Sequence, residues 1–205
     1  MPPRPQRTAT TDIAPRVLQA ALDLVNEVGP EGLTVCALAR RAGIAPMSIY
    51  NHFADTNGVI DAIVIDGCNI LASLAQTSLS DPRENLVAAA SAYRDFALRY
   101  RAHRRAMFWH QFVGYTPSSD VTHITLRGLD ILAGQVRDCQ ERAIFEGRSY
   151  VDVAQLLWAA VHGYVSLEIL GINFASDRDV AFHEFVVALV VTLVDGLDTP
   201  SRSTP

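Results

Sequence analysis

A serine, a tyrosine and a histidine lie close together in the stretch GIAPMSIYNHF, residues 43–53. Hydroxyl and imidazole groups of this kind serve enzymes as nucleophiles, acids and bases. The same groups on the outside of a short helix can instead exchange hydrogen bonds with a ligand. The stretch contains no lysine or arginine, so a ligand meets no permanent positive charge there. Which of the two roles applies depends on how the surrounding helices position this stretch.

Other arrangements that could support catalysis are sparse. A di-metal helical bundle needs repeated Glu-x-x-His pairs, whereas the sequence offers the single weak pair Asp120 and His123. Cys36, Cys68 and Cys139 are far apart and form no CxxC pair, which disfavours a zinc site or a disulfide framework. Residue types alone leave a hydrolytic triad open, but no nucleophile elbow is present. We predict no catalytic residues, no metal ligands and no cofactor.

Composition and charge narrow the class of protein. The 205 residues are 49% hydrophobic and 19% charged, enough to bury a core. A net charge of −5 disfavours non-specific coating of nucleic acid. Residues 1–60 balance five arginines against five acidic residues, which is compatible with an approach to phosphates. The N-terminus lacks an apolar signal core, and the longest apolar run, residues 185–191, is too short to span a bilayer. We therefore expect a cytoplasmic protein with no membrane partner.

Apolar residues recur at helical spacing along the chain, and no strand pattern is convincing. The predicted helices span residues 13–28, 35–42, 46–52, 56–79, about 82–101, 103–112, 121–145, 151–170 and 178–197. The predicted fold is all-α, with an N-terminal three-helix helix-turn-helix domain followed by a six-helix ligand-binding and dimerisation bundle. The predicted limits are a flexible arm at 1–11, the helix-turn-helix domain at 12–55, the bundle at 56–198 and a disordered tail at 199–205.

The second and third helices carry the helix-turn-helix signature, because a tight glycine turn joins two short helices. Thr34 is a good N-cap for the second helix, and Gly43 ends it. In the third helix Ile49 and Phe53 are four residues apart, so both point toward a small core. The opposite face then carries Met47 and Asn51, with Ser48 and Tyr50 on its flanks.

This segment resembles the N-terminal domain of the TetR family of bacterial transcriptional repressors. The family pattern is Gly-hydrophobic-x-x-x-x-Leu/Ile-Tyr-x-His/Tyr-Phe, and it is filled by Gly43, Ile44, Ile49, Tyr50, His52 and Phe53. The preceding GLTV and LARRAG also match. The resemblance implies contacts with double-stranded operator DNA: backbone phosphate for Tyr50 and His52, base edges for Met47, Ser48 and Asn51, and a supporting contact from Thr34.

Two positions depart from the family pattern. The residue after the turn dipeptide is usually a serine or threonine that caps the third helix, and here it is Ala45. A lysine is frequent at the start of the fourth helix, where this chain has Thr56. One phosphate contact is therefore missing, and affinity rests more on Thr34, Tyr50, His52 and the N-terminal arm.

The C-terminal part resembles the subfamily named for a Trp-His-Gly motif. The matching residues are Trp158, His162, Gly163, Leu167 and Glu168, and residues 93–108 resemble the middle of that domain. Glu168 is either an exposed helix-end residue or a buried partner for an arginine, whereas the arginines between 94 and 105 indicate a solvated face. The last helix has a wide apolar stripe, which predicts a homodimer through the last two helices. Candidate ligand-binding residues are Tyr93, Phe96, Phe108, Trp109, Phe112, Tyr115 and His162; each could equally be core.

These features together predict a DNA-binding repressor that a small apolar or amphipathic molecule releases from a palindromic operator. The alternative is a helical small-molecule sensor, or an enzyme, without sequence-specific DNA binding. A stoichiometric metal in the pure protein would favour the enzyme, and salt-dependent retention on DNA would exclude the sensor. The sequence leaves the effector and the operator undefined.

Overall fold

The computed structural model describes residues 13–76, 78–108, 114–145, 147–172 and 175–197. Within these residues the chain forms nine α-helices and no strand, which confirms the predicted all-α fold of three helices followed by six. The helices are α1 (Ile13–Glu27), α2 (Val35–Ala42), α3 (Pro46–Phe53), α4 (Thr56–Ala75), α5 (Pro82–Arg99), α6 (Arg101–Phe108), α7 (Ser119–Gln140), α8 (Tyr150–Ile169) and α9 (Arg178–Leu197).

The chain divides into two compact units. The first runs to Cys68 and takes up Tyr100–His123, and the second contains Asn69–Arg99 and the chain from Ile124 onward. The first unit therefore includes α6 and most of α4 beside the three N-terminal helices. These structural units do not coincide with the functional boundary at residue 56, which stays a prediction.

In the first unit the three N-terminal helices begin and end where local chemistry requires. The Thr34 hydroxyl accepts a hydrogen bond from the Ala37 N–H at 3.2 Å and caps α2. Gly43 ends α2 with φ 64°, a left-handed conformation that glycine adopts without steric cost. Pro46 occupies the first turn of α3, where its missing N–H costs no helical hydrogen bond.

The core of the first unit packs α6 against the N-terminal helices and α4. Its members include Val17, Leu38, Ile49, Ile63 and Ala102. Two polar contacts of α6 add to this packing. Arg105 donates to the Val25 carbonyl at 3.0 Å, and His103 Nε2 lies 2.8 Å from the Asp66 carboxylate.

In the second unit an ion network joins α5, α8 and α9, and its Arg94 and Glu168 members are buried. Arg94 makes two hydrogen bonds to Glu168, at 2.8 and 2.7 Å, and a third to Asp179 at 2.8 Å. Its guanidinium also lies 5.1 Å from the ring centroid of Phe182. Of the two interpretations of Glu168, the structure shows the second: Glu168 is the buried partner of an arginine. The prediction of a solvated arginine face is wrong for Arg94 and for Arg104, because both are buried.

The helices α7 and α4 end five and four residues earlier than the sequence predicts, and in each case a side-chain amide stabilises the chain beyond the helix. Beyond α7, Gln140 Nε2 donates to the carbonyls of Phe145 and Arg148, at 3.0 and 2.7 Å, and so holds a turn in place of further helix. Beyond α4, Asn85 exchanges two hydrogen bonds with the Leu79 backbone, at 2.9 and 3.1 Å. Leu79 therefore belongs to the approach to α5.

Within the described parts of the chain, α4 is the one helix long and apolar enough to cross a membrane, judged by length and composition only. A core helix of a soluble protein passes the same test. The composition of α4 is thus weak support for a membrane segment.

Candidate DNA-binding surface

The position of α3 is fixed by its apolar side. Ile49 is completely buried in the core of the first unit, and Phe53 packs against that core from a half-buried position. Burying these two side chains turns the opposite side of α3 outward. Met47 is 65% exposed and Tyr50 is 50% exposed, while Asn51 is exposed beside them. An apolar tip, a phenol and an amide are therefore presented together on one short helix.

The N-terminus of α3 lacks a side-chain cap. Ala45 has the extended conformation of an N-cap residue, with φ −74° and ψ 143°, but its methyl group accepts no hydrogen bond. The Ser48 N–H bonds to the Ala45 carbonyl at 2.9 Å. The Ser48 side chain is half-buried, so it is less available to a ligand than Met47 or Asn51.

His52 is exposed at the C-terminal end of α3, and one of its ring nitrogens is already engaged. Nδ1 lies 2.9 Å from the Ser48 carbonyl oxygen. Because a carbonyl oxygen only accepts, Nδ1 carries the donating proton. Nε2 is then the ring atom available to a ligand.

The turn that follows α3 is strained. Ala54 has φ 63° and ψ −53°, and the Asp55 N–H reaches the Phe53 carbonyl at 2.7 Å. This is the geometry of a γ-turn with a positive φ, which is rare for any residue with a side chain. Asp55 then caps α4 by accepting a hydrogen bond from the Gly58 N–H at 3.1 Å. The end of α3 and the start of α4 are thus tied to each other within three residues.

Arginines near the two short helices are mostly committed to the protein itself. Arg16 donates to the carbonyls of Ala42 and Gly43 at the end of α2. Arg41 pairs with Glu27, and its hydrogen bond lowers the pKa of that carboxyl group. Arg40 is exposed on α2, and no ion pair in the described part of the chain engages it. The sequence analysis assigned no role to Arg40, which lies on the outer face of α2 because positions 38, 39 and 42 are buried.

The DNA-contact residues predicted from sequence all lie on α3 except Thr34, which precedes α2. Thr34 is exposed, but its hydroxyl accepts the capping hydrogen bond of α2. Thr34 therefore has a structural role in addition to any contact with a ligand. The six assignments stay predictions, since no bound molecule tests them.

The predicted ligand-binding residues divide between the two units. In the second unit the Tyr93 hydroxyl lies 2.6 Å from Nδ1 of His162, and Trp158 meets the same imidazole edge-on at 5.9 Å. Phe96 is fully buried nearby on α5 in the same unit as Tyr93.

The remaining candidates lie in the first unit or outside the described residues. The Tyr115 hydroxyl donates to Asp61 at 2.7 Å, and burial followed by that carboxylate raises the pKa of Tyr115. Phe108 is half-buried at the end of α6. Trp109 and Phe112 lie outside the described residues. The group that the structure brings together is therefore the Tyr93, His162 and Trp158 cluster, to which the sequence had assigned only the first two.

A second surface feature is an apolar face on the last two helices. The exposed leucines are Leu156 and Leu167 on α8 and Leu170 directly after it. Gly163 lies on the same side, at helical spacing from them, and a Cβ built there meets no atom within 4 Å. On α9 the exposed valines are Val180, Val187 and Val191. Their spacing of seven and four residues places these valines on one side of α9.

Comparison with known protein families identifies both parts of the chain. Residues 17–63 match the family described as bacterial regulatory proteins, tetR family. Residues 86–189, half of the chain, match the tetracyclin repressor-like C-terminal domain. Neither description specifies the Trp-His-Gly subgroup, which stays a prediction.

Individual relatives agree with the family match. An uncharacterized HTH-type transcriptional regulator of Mycobacterium tuberculosis is 28% identical over 181 residues, which cover 84% of this chain and 78% of that protein. Tetracycline repressor protein class A from transposon 1721 of Escherichia coli is 37% identical over 87 residues. The matched segment covers 42% of this chain and 40% of that repressor.

Solved structures share the fold over nearly the whole chain. A protein of unknown function from Rhodococcus sp. RHA1 has a TM-score of 0.76 at 23% identity, over 95% of this chain and 98% of that one. The TetR family transcriptional regulator PfmR from Thermus thermophilus has a TM-score of 0.67 at 18% identity, over 89% and 99% of the two chains. The two domain matches together establish that the chain belongs to the TetR family of transcriptional regulators.

Proposed function

We propose that this protein is a cytoplasmic transcriptional repressor that binds a palindromic operator as a homodimer and is released by a small molecule. The observation that carries the proposal is the exposed face of α3, where Met47, Tyr50 and Asn51 stand over the buried Ile49. In helix-turn-helix proteins the second short helix enters the major groove, while the first crosses the phosphate backbone. The hydroxyl of Tyr50 supplies one phosphate contact, and Arg40 on α2 supplies another. His52 supplies a third as the imidazolium, because its Nδ1 already donates to the Ser48 carbonyl and Nε2 carries a proton only in that form.

The homodimer forms through α8 and α9. Their exposed leucines and valines form an apolar surface of the kind that marks an interface in soluble proteins. Gly163, with open space around its missing side chain, lets the backbone of a second copy come close. A two-fold axis through this surface relates the α3 helices of the two copies, which contact the DNA. The operator is then an inverted repeat whose half-sites are about one turn of the DNA helix apart.

The effector is a small apolar or amphipathic molecule that binds in the second unit. The Tyr93, His162 and Trp158 cluster supports this assignment, because it joins aromatic surface to two hydrogen-bonding groups. Binding of the effector changes the distance between the α3 helices of the two copies and so weakens operator binding. A ligand has this effect only when it prefers one spacing over the other.

Selection of bound sequences from random duplex DNA tests the proposal. The expected result is an inverted repeat, bound by the wild type with a steep salt dependence. Replacing Tyr50 with phenylalanine removes one phosphate contact and weakens binding about tenfold without changing the selected sequence. The matched control is Tyr150→Phe, an exposed tyrosine of the second unit, which leaves DNA affinity unchanged. The absence of any enriched sequence would reject operator binding and leave the alternative of a helical small-molecule sensor, or an enzyme, without sequence-specific DNA binding.

A further inference from the structure

The exposed face of α3 contains groups suited to some bases and none suited to others. Guanine is read most often by arginine or lysine, which donate two hydrogen bonds to O6 and N7. Adenine is read by the amide of asparagine or glutamine, and the thymine methyl group by an apolar side chain. The described surface of α3 has an exposed amide, Asn51, and an exposed apolar tip, Met47, but no arginine or lysine.

Neighbouring arginines do not supply the missing guanine donor. Arg16 donates its guanidinium hydrogen bonds to the carbonyls that end α2, and Arg41 is paired with Glu27. Arg40 lies on α2, the helix that crosses the phosphate backbone in this motif, so its expected contact is a phosphate. Ser48, whose hydroxyl could contact any base, is half-buried. The major-groove chemistry exposed on the described first unit is therefore mainly that of Met47 and Asn51.

We propose that α3 selects A·T base pairs, with Asn51 bonding to an adenine edge and Met47 contacting a thymine methyl group. The inference rests on the operator binding proposed above. Four residues of helix separate the two side chains by about 6 Å along the axis, whereas successive base pairs are about 3.4 Å apart. The two residues consequently read base pairs no more than about two steps apart, and each half-site has an A·T pair at both positions.

The Met47 contact is tested by replacing thymine with uracil, which removes only the C5 methyl group. Each thymine of the selected half-site is replaced in turn, and affinity is measured for the wild type and for Met47→Ala. At one position we expect the wild type to lose about fourfold in affinity, the value for removing one methyl contact. Met47→Ala should bind the two duplexes equally at that position.

The Asn51 contact is tested in the same way with 7-deazaadenine, which removes the N7 acceptor. At one adenine, within two base-pair steps of the sensitive thymine, the replacement should lower the affinity of the wild type about fivefold or more. Asn51→Ala should be indifferent to the change. Both substitutions lie on exposed positions, so folding is preserved. Tyr50→Phe serves as the control, since it should weaken every duplex alike and keep both sensitive positions.

The outcomes separate this inference from the proposed function. A palindrome that loses affinity with 7-deazaguanine, with the loss abolished by Asn51→Ala or Met47→Ala, would overturn A·T selection while operator binding stands. If neither uracil nor 7-deazaadenine changes the wild-type affinity at any position, A·T selection would also be overturned. The contacts of α3 would then be with the DNA backbone. Failure of the wild type to bind any duplex would reject both proposals together.

Discussion

The two units place charge and apolar surface in opposite ways. In the first unit the outward face of α3 carries the polar groups of Tyr50 and Asn51 beside the exposed Met47, and it lacks lysine and arginine. Ile49 and Phe53 of the same helix point inward. In the second unit the Arg94 and Glu168 ion pair is buried, while leucines and valines of α8 and α9 face outward. An unpaired charge would be costly inside, and an apolar stripe is unfavourable outside unless something covers it. The first surface is therefore suited to a hydrated ligand such as DNA, and the second to another protein surface.

The largest expected effect comes from breaking the buried network. Arg94→Met removes the guanidinium and leaves Glu168 buried without its partner; the two side chains are only 10% and 2% exposed. Hydrogen bonding to Glu168 raises the pKa of Arg94, so its positive charge is held throughout the accessible pH range. We expect a loss of about 3–5 kcal/mol in unfolding free energy, measured by urea denaturation.

Arg99→Met is the matched control for the buried arginine. Arg99 lies five residues later on α5 and forms an exposed i,i+4 pair with Asp95 at 3.4 Å. Such pairs contribute about 0.3–0.5 kcal/mol. Equal stability of the two variants would show that Arg94 is not structurally different from a surface arginine.

The second prediction concerns the exposed apolar face. Gly163→Leu adds a bulky side chain where the monomer has open space, so we expect the folded monomer to be retained. At a close-packed interface the same side chain costs about 1–3 kcal/mol, which corresponds to a roughly 5- to 150-fold weaker dimer. Sedimentation equilibrium measures the change.

Gly128→Leu on α7 provides the comparison for Gly163→Leu, because a Cβ at Gly128 also meets no atom within 4 Å. It should leave the dimer unchanged. If both variants weaken the dimer to the same extent, the dimer interface is not the specific surface of α8 and α9.

Sequence patterns predicted the first unit better than the second, and the reasons are physical. Residues 35–42 and 46–52 were identified as helices because caps, a glycine and a proline mark their ends locally. The burial of Arg94 has no such local signal, since arginine is normally exposed and its partners lie 74 and 85 residues away. The same limitation affected α6, whose membership of the first unit depends on contacts with α1 and α4.

The residues of the candidate site also differ in how far the sequence could predict them. The outward residues of α3 follow from the helical period once Ile49 is assigned to the core. The Tyr93 and His162 contact joins residues 69 positions apart, which no local pattern signals. The spacing of four residues already places Trp158 and His162 on one face of α8, and the structure shows their rings in contact. The strain at Ala54 had no sequence signal, because alanine does not favour a positive φ.

A third, smaller effect is expected at that strained turn. Ala54→Gly removes the side chain that makes the γ-turn unfavourable, and part of the gain is offset by the greater freedom of glycine in the unfolded chain. We expect a net stabilisation of about 1 kcal/mol in thermal or chemical unfolding. Ala62→Gly, within α4, should destabilise by about 1 kcal/mol. Destabilisation by both changes would mean that Ala54 is not strained in solution.

The smallest effect tests whether the missing cap of α3 is a weakness of the first unit. Ala45→Ser introduces a hydroxyl at an N-cap position that already has the extended conformation required. We expect a gain of about 0.5–1 kcal/mol and a rise of roughly 2–4 °C or less in melting temperature. Thr34→Ala, which deletes the observed cap of α2, should give a loss of similar size. If Ala45→Ser stabilises the protein and leaves the uracil and 7-deazaadenine responses unchanged, capping α3 changes its stability without changing how Met47 and Asn51 contact the bases. A change in those responses would instead show that the uncapped first turn shifts how α3 lies in the groove.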